Sequence, residues 1–82
     1  MSEGRHLRKR SFQLAGHRTS VALEPEFWVV LEAVAVQRGR SLAGLVMEID
    51  AARAAAAQPL ASALRVFALA ERPPGEAARG TT

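Results

Sequence analysis

The residues best suited to chemistry alternate along one short segment, from Arg18 to Leu23. Alternation with a period of two is typical of a β-strand, in which successive side chains point to opposite faces. One face would carry Arg18, Ser20 and Ala22, which supply a guanidinium, a hydroxyl and a methyl group. The first two groups can form hydrogen bonds to base edges or phosphates, so this face suits a nucleic-acid groove.

A basic run just ahead of this segment holds the excess positive charge. Residues 1–18 carry five Lys or Arg against a single acidic residue, whereas residues 19–82 carry six Arg against seven acidic residues. Such asymmetry is the usual footprint of a nucleic-acid-binding arm, although a solubilising tail would look similar. We therefore predict a basic flexible arm over residues 1–10. The predicted phosphate contacts in and near it are Arg8, Lys9, Arg10 and His17.

Helices must follow the strand to position it. Pro25 suits the first turn of a helix, Gly39 its left-handed end, and Ser41 the N-cap of a second helix. Pro59 is expected to start a third helix, which completes a domain over residues 11–72, and residues 73–82 are predicted as a disordered tail. The apolar residues predicted to form a core, which two copies of the chain would share in a dimer, are Thr19, Val21, Leu23, Phe27, Trp28, Leu31, Val34, Leu42, Leu45, Val46 and Ile49.

The single predicted strand needs a partner. A lone strand cannot satisfy its backbone hydrogen bonds or bury one face, and the simplest mate is the same strand of a second copy. The predicted fold is therefore mainly α with one short strand, an intertwined homodimer with a third C-terminal helix. Gly44, inside the second helix, also suggests close approach of another helix. The structural alternative is a monomer whose residues 11–14 pair with 19–23 through Gly16.

Length and composition exclude several classes. The chain has 82 residues and no Cys, so neither disulfides nor a Cys-based zinc site can stabilise it. His6 and His17 lack a third metal ligand at a suggestive spacing, and no cofactor is predicted. No phosphate-binding loop or catalytic motif is present, so an enzyme is not expected. No apolar run is long enough to span a bilayer or form a signal-peptide core, so a cytoplasmic location is expected.

Several short motifs occur together and in order, and they resemble the ribbon-helix-helix superfamily of small dimeric DNA-binding proteins. The likeness is greatest to a bacterial subgroup and covers roughly residues 9–70. The segments that carry it are Gly-His-Arg-Thr-Ser, Leu-Glu-Pro-Glu-Phe-Trp, Gly39-Arg40-Ser41 and Ser-Ala-Leu-Arg-Val-Phe.

This resemblance implies sequence-dependent binding of double-stranded DNA and a role as a transcriptional regulator or repressor. It places Arg18, Ser20 and Ala22 in the major groove and the backbone amides of Ser41 and Leu42, joined by Arg40, on a phosphate. Because Ala22 cannot form a hydrogen bond to a base, one dimer is expected to show weak sequence preference unless repeated half-sites or a partner add to it. The alternative function is an interaction or antitoxin-like module that holds a protein partner through residues 59–72.

Overall fold

A computed structural model of the chain describes residues 6–72. The described part begins with two antiparallel strands that pair with each other, and three helices follow. The elements are β1 (Arg8–Leu14), β2 (His17–Leu23), α1 (Pro25–Gln37), α2 (Leu42–Ala56) and α3 (Leu60–Glu71). The fold is therefore mainly α with three helices, as predicted, but it has two strands rather than one.

A two-residue turn joins the strands. Leu14 pairs with His17, and between them Ala15 and Gly16 have φ angles of 50° and 84°. Two positive φ angles in a two-residue loop are the geometry of a type I′ turn, whose twist matches that of paired strands. Glycine adopts this conformation freely, whereas the Cβ of Ala15 opposes it.

The strand β1 corrects the prediction of a lone strand. Arg8 to Arg10, expected in a flexible arm, form the first part of β1, and β2 pairs with β1 over its whole length, from Arg8 opposite Leu23 to Leu14 opposite His17. One edge of β2 is therefore satisfied inside the chain, without a second copy. The alternative of a hairpin within one chain therefore describes the strands better, although the observed hairpin is longer than the predicted one. The predictions for residues 1–5 and 73–82 lie outside the described residues.

The apolar side of β1 is held by α1. Phe12 and Leu14 are buried, and the ring of Phe12 lies 5.9 Å from that of Trp28. The indole N–H of Trp28 also donates a 2.8 Å hydrogen bond to the carbonyl of Arg8. Trp28 therefore combines apolar burial with a satisfied polar atom, and it fixes β1 to the first helix.

The helix ends follow local signals. Pro25 occupies the first turn of α1, and Gly39, with φ 66°, follows its end, where the Arg40 N–H donates to the Ala35 carbonyl at 2.8 Å. These positions confirm the predicted boundaries of α1. The helix α2 ends at Ala56 because the next residue, Ala57, turns into the left-handed region.

The core lies inside one chain. The helix α3 completes it with Ala63, Leu64 and Ala68, of which Leu64 is fully buried. Eight residues of the predicted dimer core are buried there: Val21, Leu23, Trp28, Leu31, Val34, Leu45, Val46 and Ile49. The other three, Thr19, Phe27 and Leu42, are half-buried. The apolar residues that were predicted to be covered by a second copy are thus covered largely by β1 and α3 of the same chain.

Candidate nucleic-acid interface

The side of the hairpin opposite the core carries six side chains, which we call the outer face. Facing each other across the strands are Lys9 and Ala22, Ser11 and Ser20, and Gln13 and Arg18. Five of the six are exposed and Ala22 is half-buried. The face therefore presents an exposed surface two strands wide that is polar except at Ala22.

The structure places the β2 residues as the alternation predicted. Arg18, Ser20 and Ala22 lie on the outer face, while Val21 and Leu23 are buried on the other. Sequence reasoning missed Ser11 and Gln13, which join them from β1. The available signal was a second alternation, with polar Lys9, Ser11 and Gln13 interleaved with apolar Phe12 and Leu14.

Charge distinguishes the hairpin from the helices. Residues 6–23 contain four Lys or Arg and no acidic residue. Within the helical part, four arginines each lie within 3.4 Å of a carboxylate. These ion pairs are Arg38 with Glu71, Arg40 with Glu48, Arg53 with Asp50 and Arg65 with Glu24. No ion pair within residues 6–72 involves Lys9 or Arg18, so no carboxylate among these residues neutralises the two cations of the outer face.

The basic residues expected to act together on phosphates lie on different faces. Lys9 is on the outer face, whereas Arg8 and Arg10 alternate to the side of the helices. The Arg10 guanidinium forms a 2.6 Å ion pair with Glu32 and lies 5.3 Å from the centre of the Trp28 ring. Arg10 is therefore engaged with α1. His17 is exposed beside the turn.

The start of α2 carries the other predicted phosphate contacts, which are Arg40, Ser41 and Leu42. Ser41 is exposed, and its side-chain oxygen accepts a 3.0 Å hydrogen bond from the Gly44 N–H. A Cβ on Gly44 would lie 3.2 Å from that oxygen and 3.9 Å from Nε of Arg40. Among the described residues, the neighbours of Gly44 are thus its own capping residues and not another helix of the same chain, and the approach of a helix from a second copy stays a prediction. Leu42 is half-buried, and Arg40 pairs with Glu48 at 3.0 Å.

Residues 6–72 hold neither a metal-binding cluster nor a candidate membrane-spanning helix. No cluster of three or more His, Asp or Glu side chains there is arranged to hold a metal ion. No helix in the same part of the chain has the length and apolar character needed to cross a membrane.

Comparison with protein families matches residues 7–71 to the family described as ribbon-helix-helix domain. No curated protein and no solved structure matches the chain significantly. The matched region covers both strands and all three helices, and it agrees with the resemblance over roughly residues 9–70 that the sequence motifs indicated.

Proposed function

The chain belongs to the ribbon-helix-helix domain family, as its motifs predicted, and on that premise we propose that it is a double-stranded DNA-binding regulator that acts as a homodimer. The family is in general one of dimeric DNA-binding regulators and is typically non-enzymatic. The observation that carries the proposal for this chain is the outer face, which is polar, exposed, cationic and without a carboxylate.

The dimensions of the hairpin support insertion into a groove. Two paired strands lie about 4.8 Å apart, and the major groove of B-DNA is roughly 12 Å wide. In the proposed complex Arg18 and Ser20 contact base edges, and the methyl group of Ala22 packs against a thymine methyl. Lys9, on the same face, reaches a phosphate at the groove edge.

The remaining predicted phosphate contacts are proposed to position the protein. The backbone amides of Ser41 and Leu42 start α2, and a helix N-terminus favours a phosphate. Arg8, Arg10, His17 and Arg40 flank the DNA. Arg10 and Arg40 would exchange a carboxylate for a phosphate, and an exposed ion pair contributes only about 0–1 kcal/mol, so the exchange costs little.

Support for the homodimer comes from α1 rather than from the strands. Val29 and Val36, on its outer side, are 64% and 79% exposed, although its other side is packed in the core. A helix that is apolar on nearly all sides is typically buried on all sides. We infer that a second copy covers this surface, which would give a repressor two hairpins for two half-sites.

The interaction-module alternative has one observation in its favour. The buried face of α3 is used by the chain's own core, but Val66 and Leu69 on its outer side are 58% and 54% exposed. A partner that binds residues 59–72 would contact these two side chains. This surface lies on a different element from the outer face of the hairpin, so the two functions can be tested separately.

The test is salt-dependent binding of a fluorescent DNA duplex. Lys9→Ala should weaken binding to all sequences and reduce the slope of log K against log salt by about 0.9, the value for one lost phosphate contact. Arg72→Ala is the matched control, because it removes an exposed positive charge from the end of α3. Absence of DNA binding at low salt, or an equal change in both variants, would refute the outer face as the binding surface.

A further inference from the structure

The hairpin places a second long polar side chain directly beside Arg18. Gln13, in β1, is the cross-strand partner of Arg18, and both residues are exposed. Facing residues in an antiparallel pair have Cβ atoms roughly 4.5–5.5 Å apart. Successive nucleotides along one DNA strand are spaced by about 3.4 Å, so two side chains at this separation can reach neighbouring base pairs.

We infer that Gln13 and Arg18 form a base-reading pair that recognises an A·T and a G·C base pair next to each other. This inference rests on the proposed function and adds which base pairs the hairpin prefers. Arginine bonds bidentately to O6 and N7 of guanine, and glutamine bonds bidentately to N6 and N7 of adenine. The two-residue turn sets the strand register, so it holds the two side chains in a constant relation.

The other two cross-strand pairs of the outer face are poorer in recognition chemistry. The hydroxyls of Ser11 and Ser20 form a 2.9 Å hydrogen bond with each other. Lys9 faces Ala22, which has no polar side-chain atom, and a lysine ammonium is a point charge without a planar fork. Base preference is therefore concentrated at the turn end of the hairpin, where Ala15 and Gly16 add no bulky side chain.

Four bidentate contacts per dimer change the expected specificity. One good bidentate contact favours the correct base by roughly 5- to 150-fold. If each of the four contacts, two from each chain, is at the low end of this range, their product is several hundred-fold. Over most of the range the product exceeds roughly 10³-fold, the preference over non-specific DNA at which specific binding begins. A single dimer then has sufficient preference without tandem sites or a partner, in contrast to the expectation from β2 alone.

The experiment is selection of bound duplexes from random DNA by the full-length protein and two specificity variants. Gln13→Glu should change the preferred base at one position from A to C, because a carboxylate accepts a hydrogen bond from cytosine N4, and leave the adjacent G preference intact. Arg18→Gln should change G to A at that adjacent position. Each change should alter the relative affinity for matched duplexes by roughly 5- to 150-fold.

The matched control is Gln37→Glu, which makes the same chemical change at an exposed position at the end of α1. It should leave the selected motif unchanged. The inference is overturned if Gln13→Glu lowers the affinity for every sequence alike and so leaves the selected motif unchanged, as expected for the control. It is also overturned if the base positions altered by Gln13→Glu and Arg18→Gln are not adjacent. If the wild-type protein selects no DNA, the proposed function itself fails; if it selects a motif that Gln13→Glu leaves intact, only the base-reading pair fails.

Discussion

The two faces of the same hairpin have opposite properties. On the inner face Phe12, Leu14, Val21 and Leu23 are buried against the helices. On the outer face every side chain except the half-buried Ala22 is exposed. An antiparallel sheet can pack one face and solvate the other because its side chains alternate. The hairpin thus separates stability from recognition within fourteen strand residues.

Two adjacent cations show the same separation. Arg10 on the inner side pairs with Glu32 at 2.6 Å and lies over Trp28, while Lys9, one residue earlier, has no ion pair among residues 6–72. Equal charges in consecutive positions therefore serve different purposes. One helps to attach β1 to α1, and the other contributes to the field outside the hairpin.

The largest expected effect is on the inner face. Leu23 is fully buried, and Leu23→Ala should lower the free energy of unfolding by about 2–5 kcal/mol because it leaves a cavity. Chemical denaturation measures the loss. The outer-face control Ser20→Ala should change stability by about 0.5 kcal/mol or less. If Leu23→Ala leaves no folded protein, Val21→Ala is the milder inner-face variant; equal effects on the two faces would contradict the division.

The next effect is on the outer face. Arg18→Ala should weaken binding to the preferred DNA site by about 1–3 kcal/mol and relax base preference at one position, with stability almost unchanged. Fluorescence anisotropy with preferred and altered duplexes measures the change. Arg10→Ala is the inner-side comparison: it should reduce binding to all duplexes equally and cost about 1 kcal/mol of stability. Loss of base preference in Arg10→Ala but not in Arg18→Ala would reverse the assignment of the faces.

The smallest effect concerns the turn, which belongs to neither face. Ala15→Asn should stabilise the fold by about 0.5–1 kcal/mol, because asparagine tolerates positive φ and Asn-Gly is the preferred type I′ sequence. Ala57→Gly is a matched comparison after α2, where φ is 56°, and should give a gain of similar size. Thermal unfolding measures both. A gain for Ala57→Gly alone would argue that β1 and β2 do not pair through this turn.

Signals between near neighbours in the chain were sufficient for much of this protein. Pro25, Gly39 and Ser41 marked helix ends because caps depend on residues within one turn. The alternation of β2 assigned Arg18 and Ser20 to the exposed face because side-chain direction follows from the strand itself. The family could be inferred from the same segments.

Only the tertiary structure showed that residues 8–14 form a full strand paired with β2. Its two buried residues, Phe12 and Leu14, are only a weak alternating pattern within a polar run. The segment becomes a strand because it pairs with β2 and because Phe12 packs on Trp28. The same pairing brings Gln13 beside Arg18 and lets one chain, completed by α3, bury residues that the sequence had assigned to a dimer. The two strands are neighbours in the chain, but the contact of Phe12 with Trp28 and the ion pair of Arg38 with Glu71 in α3 join residues far apart, and local propensity carries little information about such contacts.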